Sequence, residues 1–254
     1  MQNHATASMV GIYPMMINEI RILEESIMYK NSVVAILEDY CNWEKLKNEV
    51  NYDMLSQKEK DKMRLKYDKD AKYYIDLGLS EEKALYADTI ISFWTIYKTL
   101  LNLEAGWNAS KTEKSLSALL YQIKKSKSDF SVKIRNVNEK IMPFAEICYT
   151  KGNFMLLPDR SMQRRYRVTE DRLDWTLYEC FRDGELSMFF KSEQDLKLWI
   201  KEQYLESVFI NGKIDKNNIK WFVQSEMPKK ISKMNSNEIY SYLESAIEFI
   251  KLRD

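Results

Sequence analysis

Apolar residues recur along this chain at three- and four-residue steps, the spacing that places them on one face of a helix. Ile17, Ile20, Leu23 and Ile27 begin the pattern, and Val34, Leu37 and Cys41 continue it after Asn31. Ser56 with Glu59 forms a capping box ahead of a charged segment whose Met63, Tyr67, Tyr74 and Leu77 share a stripe, with Gly78 as the terminator. Ser80 is expected to cap the most strongly apolar helix, carrying Ala87, Ile90, Ile91, Trp94, Tyr97 and Leu101 up to Gly106. Residues 110–127 predict another helix, with Leu116, Leu119, Leu120 and Ile123 facing inward.

After an aperiodic, polar stretch at Ser126–Asp129 the signals mix. Val132, Ile134 and Arg135 read as a short strand, and Pro143–Tyr149 as a helix with Pro near its start and Gly152 near its end. Helices capped by Thr169 and Ser192 follow, carrying Leu173, Leu177, Cys180 and Phe181, then Leu196, Trp199 and Ile200. Asn211-Gly212 between two apolar runs predicts a β-hairpin over about 208–223. A capping box at Asn235 and Glu238 opens a last helix through Ile250. The expected fold class is mainly α: a multi-helix domain with one small β element in its C-terminal half. Residues 1–16, aperiodic and lacking a basic leader region, read as disordered. Residues 17–127 form a helical N-terminal lobe and 128–254 an α+β C-terminal lobe packed against it.

Composition removes much chemistry. The 254 residues hold a single histidine, His4, inside the expected leader, so imidazole bases, Ser-His-Asp sites and His-bearing zinc sites have no residues to build them. Six glycines and no P-loop or GxGxxG pattern leave no phosphate cradle of the usual kind, and no cofactor is expected. Cys41, Cys148 and Cys180 lack CxxC spacing and are expected as reduced, buried thiols of a cytoplasmic protein. Thr89–Leu103 contains Lys98 and is shorter than a membrane span, so no membrane partner is expected. A formal net charge of +1 provides no global basic field for nucleic acid.

Candidate chemistry concentrates between Cys148 and Phe190. Arg160, Arg164, Arg165, Arg167 and Arg172 precede or flank Glu170, Asp171 and Asp174 at an expected helix start. Guanidinium forks suit phosphate oxygens, and Tyr166 and Trp175 could stack on bases, so nucleic-acid or nucleotide-phosphate binding through Arg160–Arg172 is one expectation. The same residues suit a structural clamp in which arginines pair with first-turn carboxylates. Pro158-Asp159 followed by Asp195-Leu196-Lys197 imitates the carboxylate-plus-lysine pattern of a metal-dependent nuclease, which needs no histidine.

The succession Tyr149-Thr150-Lys151-Gly152-Asn153-Phe154, Pro158, an arginine-bearing loop and Asp171-Arg172-Leu173-Asp174, with Ala87-Asp88-Thr89-Ile90 upstream, resembles an uncharacterised bacterial family over about residues 85–210. The resemblance carries no activity. Tyr149 and Asn153 are further candidate site residues: Asn153 after Gly152 could place a side-chain amide in a site, although Asn and Gly past a helix end are also ordinary turn chemistry. An aromatic-rich chain without cofactor motifs is expected to work by binding another protein, as a non-enzymatic bacterial or phage accessory factor in defence or counter-defence.

Overall fold

A computed structural model describes residues 33–78, 80–85, 89–158, 172–181, 189–214, 218–219 and 228–254. Its described part is mainly helical and contains no strand. The expectations for residues 1–32, the helix starting at Ile17 and the disordered leader among them, lie outside the described residues.

Helix α1 is Val33–Glu49, and a single turn at Tyr52–Met54 follows it. The charged segment expected as one helix is two, α2 (Gln57–Tyr67) and α3 (Lys69–Asp76). The break falls at Asp68, whose backbone is extended and whose side chain accepts the amide of Asp70 at 3.0 Å. A second N-cap inside a charged run is the physical cause, since Asp competes for backbone donors. At the front of α2, Glu59 accepts both the amide and the hydroxyl of Ser56, at 2.8 and 2.6 Å. A short helix α4 (Glu81–Ala84) precedes α5 (Thr89–Ala105), so Ser80 opens a separate turn and not the apolar helix.

Helices α5, α6 (Glu113–Lys124) and α7 (Asp129–Ala145) form the centre, with α5 against α7 and α6 against α1. Thr112 caps α6. The strand expected at Val132–Arg135 is instead the first half of α7. Ser128 accepts the amide of Ser131 at 3.2 Å and starts the helix, and Ile134, Val137, Ile141, Phe144 and Ala145 then line one buried stripe. Pro143 does not begin a helix; it lies exposed in the last turn of α7, where the buried stripe on the other face carries the helix past it. Arg135 closes the α6–α7 corner by donating to the carbonyl of Ser126 at 2.8 Å.

Helix α8 (Leu173–Phe181), α9 (Glu193–Glu202) and α10 (Ser236–Arg253) complete the described chain. α10 packs on both α5 and α7, and one apolar cluster extends from Val33 to Ile250 across the two expected lobes. Cys41, Cys148 and Cys180 are buried within it as free thiols.

The expected hairpin is not shown: residues 215–217 and 220–223 of its range lie outside the described residues, and the others contain no strand. Asn211 and Gly212 do turn the chain, both at positive φ, with the Lys213 amide bonded to the Ile210 carbonyl at 3.2 Å. Among the described residues no ladder extends from that turn: Phe209 makes an isolated antiparallel bridge with Ile219, far from the register a two-residue turn would set. Phe209 and Ile219 are both buried, so packing decides the pairing.

Candidate functional site

Two places in the fold carry unusual chemistry, one at each end of α10. At the front end, Arg172 and Asp174 are both buried and face each other across the start of α8. Arg172 Nε donates to Asp174 Oδ1 at 2.9 Å, its Nη2 bonds the other carboxylate oxygen, and its Nη1 reaches the carbonyl of Lys229 at 2.6 Å. The guanidinium also lies 4.4 Å from the ring centre of Tyr242. Burial pushes the Asp174 carboxyl up from its ordinary value, against Arg172 and nearby amides that pull it down. This is the clamp arrangement anticipated for a first-turn carboxylate. The pair forms one wall of an open cleft of about 500 Å³ whose other wall is α10.

Of the remaining sequence candidates, Arg160, Arg164, Arg165, Arg167 and Asp171 lie outside the described residues, as does Asp159 of the nuclease pattern. Asp195 is exposed in the first turn of α9, and its amide is bonded by the Ser192 cap at 3.2 Å. Tyr149 and Asn153 do not join the cleft. The Tyr149 hydroxyl donates to buried Asp70 at 2.7 Å, while the second oxygen of Asp70 accepts the Ile90 amide at 3.1 Å near the start of α5. Burial, then the Asp70 charge, raise the Tyr149 phenol well above its usual value. Asn153 donates to the Cys148 carbonyl at 2.6 Å. Both residues serve the fold.

At the far end of α10, the turn Lys151–Asn153 lies against the helix so closely that a Cβ on Gly152 would stand 2.1 Å from the Ile250 carbonyl oxygen. Gly152 is therefore a close-approach glycine and not the helix terminator its sequence position suggested. Arg253, 3% exposed, fastens this region by donating to the carbonyls of Gly152, Phe154 and Gln203 at 2.5, 2.6 and 2.8 Å. The Asp254 carboxylate accepts the Gly152 amide at 2.5 Å. Desolvation pulls the Arg253 guanidinium down to about 10, with Asp254 opposing.

Beside that fastening stands Tyr204, at φ 55° and 49% exposed. It follows the Gln203 cap of α9, where the Leu205 amide bonds the Ile200 carbonyl at 2.9 Å and the Tyr204 amide bonds the Lys201 carbonyl at 3.2 Å. That helix-ending motif prefers glycine, because a side chain in left-handed backbone costs about 1 kcal/mol. The Lys151 ammonium lies 3.7 Å from the Tyr204 ring centre. Leu156 and Leu252 are exposed on segments bonded to this stretch: the Leu156 amide donates to Gln203 Oε1 at 2.7 Å, and Ser207 donates to the Leu252 carbonyl at 2.6 Å. Tyr204 carries no motif in the sequence; a helix that stops without glycine after Glu202 is the only trace.

No group of three or more His, Cys, Asp or Glu able to hold a metal ion occurs among the described residues. No described helix is long and apolar enough to cross a membrane. No protein-family description, curated protein or solved structure matches the chain. The likeness over residues 85–210 and the accessory-factor setting therefore rest on the sequence pattern alone.

Proposed function

We propose that the protein works by binding another protein, and that the face around Tyr204 is the binding surface. The observation that supports this reading is an exposed aromatic ring held in left-handed backbone at a position where glycine is the cheaper residue. Local stability does not explain a tyrosine there. A cation over an exposed ring returns about 0.5 to 1 kcal/mol, which only offsets the backbone cost. Tyrosine is one of the residues that most often anchor protein interfaces.

The Arg160–Arg172 alternative has a narrower basis in the described residues, because Arg172 is engaged by Asp174 and the Lys229 carbonyl. A phosphate would have to displace a buried carboxylate to reach it.

Tyr204→Gly separates function from folding. The variant is expected to melt no lower than the wild type, with up to about 1 kcal/mol gained, because glycine accepts positive φ without strain. In parallel affinity capture from cell extract, at least one protein retained by the wild type should be lost from this equally stable variant. Identical retention by both forms, or retention by neither, refutes the reading.

A further inference from the structure

Charge is unevenly distributed along this near-neutral chain. Residues 110–135 hold seven Lys and Arg against two Asp and Glu, whereas the whole sequence has 39 against 38, so the remainder is net acidic. The stretch comprises α6, the α6–α7 corner and the first turns of α7. Its two acids, Glu113 and Asp129, both sit in first helical turns, where the helix dipole offsets part of their charge. Of the cations, Lys124 pairs with Glu38, and Arg135 donates to the carbonyls of Gln122 and Ser126. Lys111, Lys114, Lys125, Lys127 and Lys133 are exposed and pair with no carboxylate among the described residues.

One ring stands among these lysines. Tyr121 is 56% exposed, the most open aromatic side chain among the described residues, and no second ring or cation among them contacts it. It lies on the solvent side of α6, across from buried Leu116 and Leu119, with Lys114 two turns before it and Lys125 one turn after. A helical side chain leans over the turn before it, and there Tyr121 meets only Ser117 and Ala118, both small and exposed. A bare ring between unpaired cations suits a single-stranded nucleic acid, in which a base stacks on the ring while phosphates take the ammonium groups. From Lys114 to Lys125 the helix rises about 16 Å, the length of about five stacked nucleotides at about 3.4 Å each.

We propose that the solvent face of α6, with Lys114, Tyr121, Lys125 and Lys127, binds single-stranded nucleic acid without reading its sequence. A duplex offers the lysines the same phosphates, but its bases are stacked on each other and closed to the ring. An acidic peptide satisfies the lysines and has no flat face to lay on Tyr121. The net charge of +1 on the whole chain supplies no long-range attraction, so the affinity is local and modest, on the order of 10 μM at physiological salt. Tyr204 lies on a different element, and the proposal does not depend on the reading of its face.

The test uses the full chain and fluorescence anisotropy of labelled, mixed-sequence DNA and RNA single strands of about twenty nucleotides, titrated in parallel between about 50 and 200 mM salt. The tighter of the two identifies the natural class. The logarithm of affinity should fall against that of salt concentration with a slope of about −2 to −3, as three or four phosphates at about 0.7 each require. Lys114→Gln, Lys125→Gln and Lys127→Gln combined should weaken binding at least about tenfold at low salt and flatten the slope by about 2. Tyr121→Ala should weaken it at least about fivefold with the slope unchanged, and Tyr121→Trp should restore it. The exposed pair Lys58→Gln with Lys62→Gln on α2, and Tyr204→Gly, should bind as the wild type does. No binding at 50 mM salt, a loss as large from the α2 pair as from the α6 lysines, indifference to Tyr121→Ala, or stronger displacement by polyglutamate than by unlabelled oligonucleotide would overturn the proposal. Every substituted side chain is exposed, and a thermal melt matching the wild type confirms that each variant is folded.

Discussion

Arg253→Ala is expected to destabilise the protein by about 4 kcal/mol, the sum of leaving several buried carbonyls without donors at about 1 to 3 kcal/mol each after partial relaxation. The carbonyls of Gly152, Phe154 and Gln203 all turn to this one guanidinium, whose residue is only 3% exposed. For a chain of this size the melting temperature should drop by on the order of 10 °C. Arg253→Lys should recover only a small part, because an ammonium is a point donor and cannot span three acceptors as a planar fork does. Gly152→Ala attacks the same junction from the other side. Its Cβ would meet main-chain atoms of Ile250, which cannot rotate away, so a cost of about 3 kcal/mol or more is expected. Urea titration of the three variants checks both statements. A loss below about 1 kcal/mol for Arg253→Ala would show that the junction contributes little.

Alkaline pH should unfold the protein through its buried acids. Burial raises the phenol of Tyr73 to about 12 and pushes those of Tyr97, Tyr149 and Tyr240 and the thiols of Cys148 and Cys180 above their ordinary values. In the unfolded chain the thiols lose protons near 9 and the phenols near 10. Above those values the unfolded state holds fewer protons than the folded one, so stability falls as pH rises. The contribution is complete below pH 9, and that of Tyr73 is lost progressively between about 10 and 12, a loss on the order of 2 kcal/mol from that residue alone. Arg253 acts in the opposite sense: lowered to about 10, it relieves part of its burial cost as pH climbs further, but one group cannot balance six. The urea midpoint should hold steady up to about pH 9 and decline beyond it. Tyrosinate absorbance near 295 nm from the buried phenols should appear together with loss of the helical circular dichroism signal. A midpoint unchanged at pH 11 would contradict this account.

The parts of the structure legible in the sequence are those set by short-range chemistry. Ser56 with Glu59, Ser192, and Asn235 with Glu238 mark helix starts because a cap needs only a side chain and amides two or three residues on. Gly78 and Gly106 mark stops because both adopt positive φ. Errors arose where distant packing overrode a local signal. Pro143 resembles a helix start, yet the stripe from Ile134 to Ala145 packs on α5 and keeps the helix intact through it. Asn211-Gly212 makes its turn, but Phe209 bridges Ile219 and no ladder extends from the turn among the described residues. Arg172 and Asp174 could be chosen from sequence because they are two residues apart. Asp70 with Tyr149, and Arg253 with Gly152, could not, since their partners lie 79 and 101 positions away. A basic residue in a last helical turn looks like an ordinary complement to the helix dipole until the carbonyls around it are seen.

Helix α10 contains neither glycine nor proline over its 18 residues, so it has no point at which to bend. One end borders the cleft at Arg172, and the other is riveted by Arg253 beside Tyr204. The distance and angle between the two surfaces are therefore a property of a single rod about 27 Å long. A partner that touched both would find them in fixed register, and tilting the rod at one end would require breaking the fastening at the other.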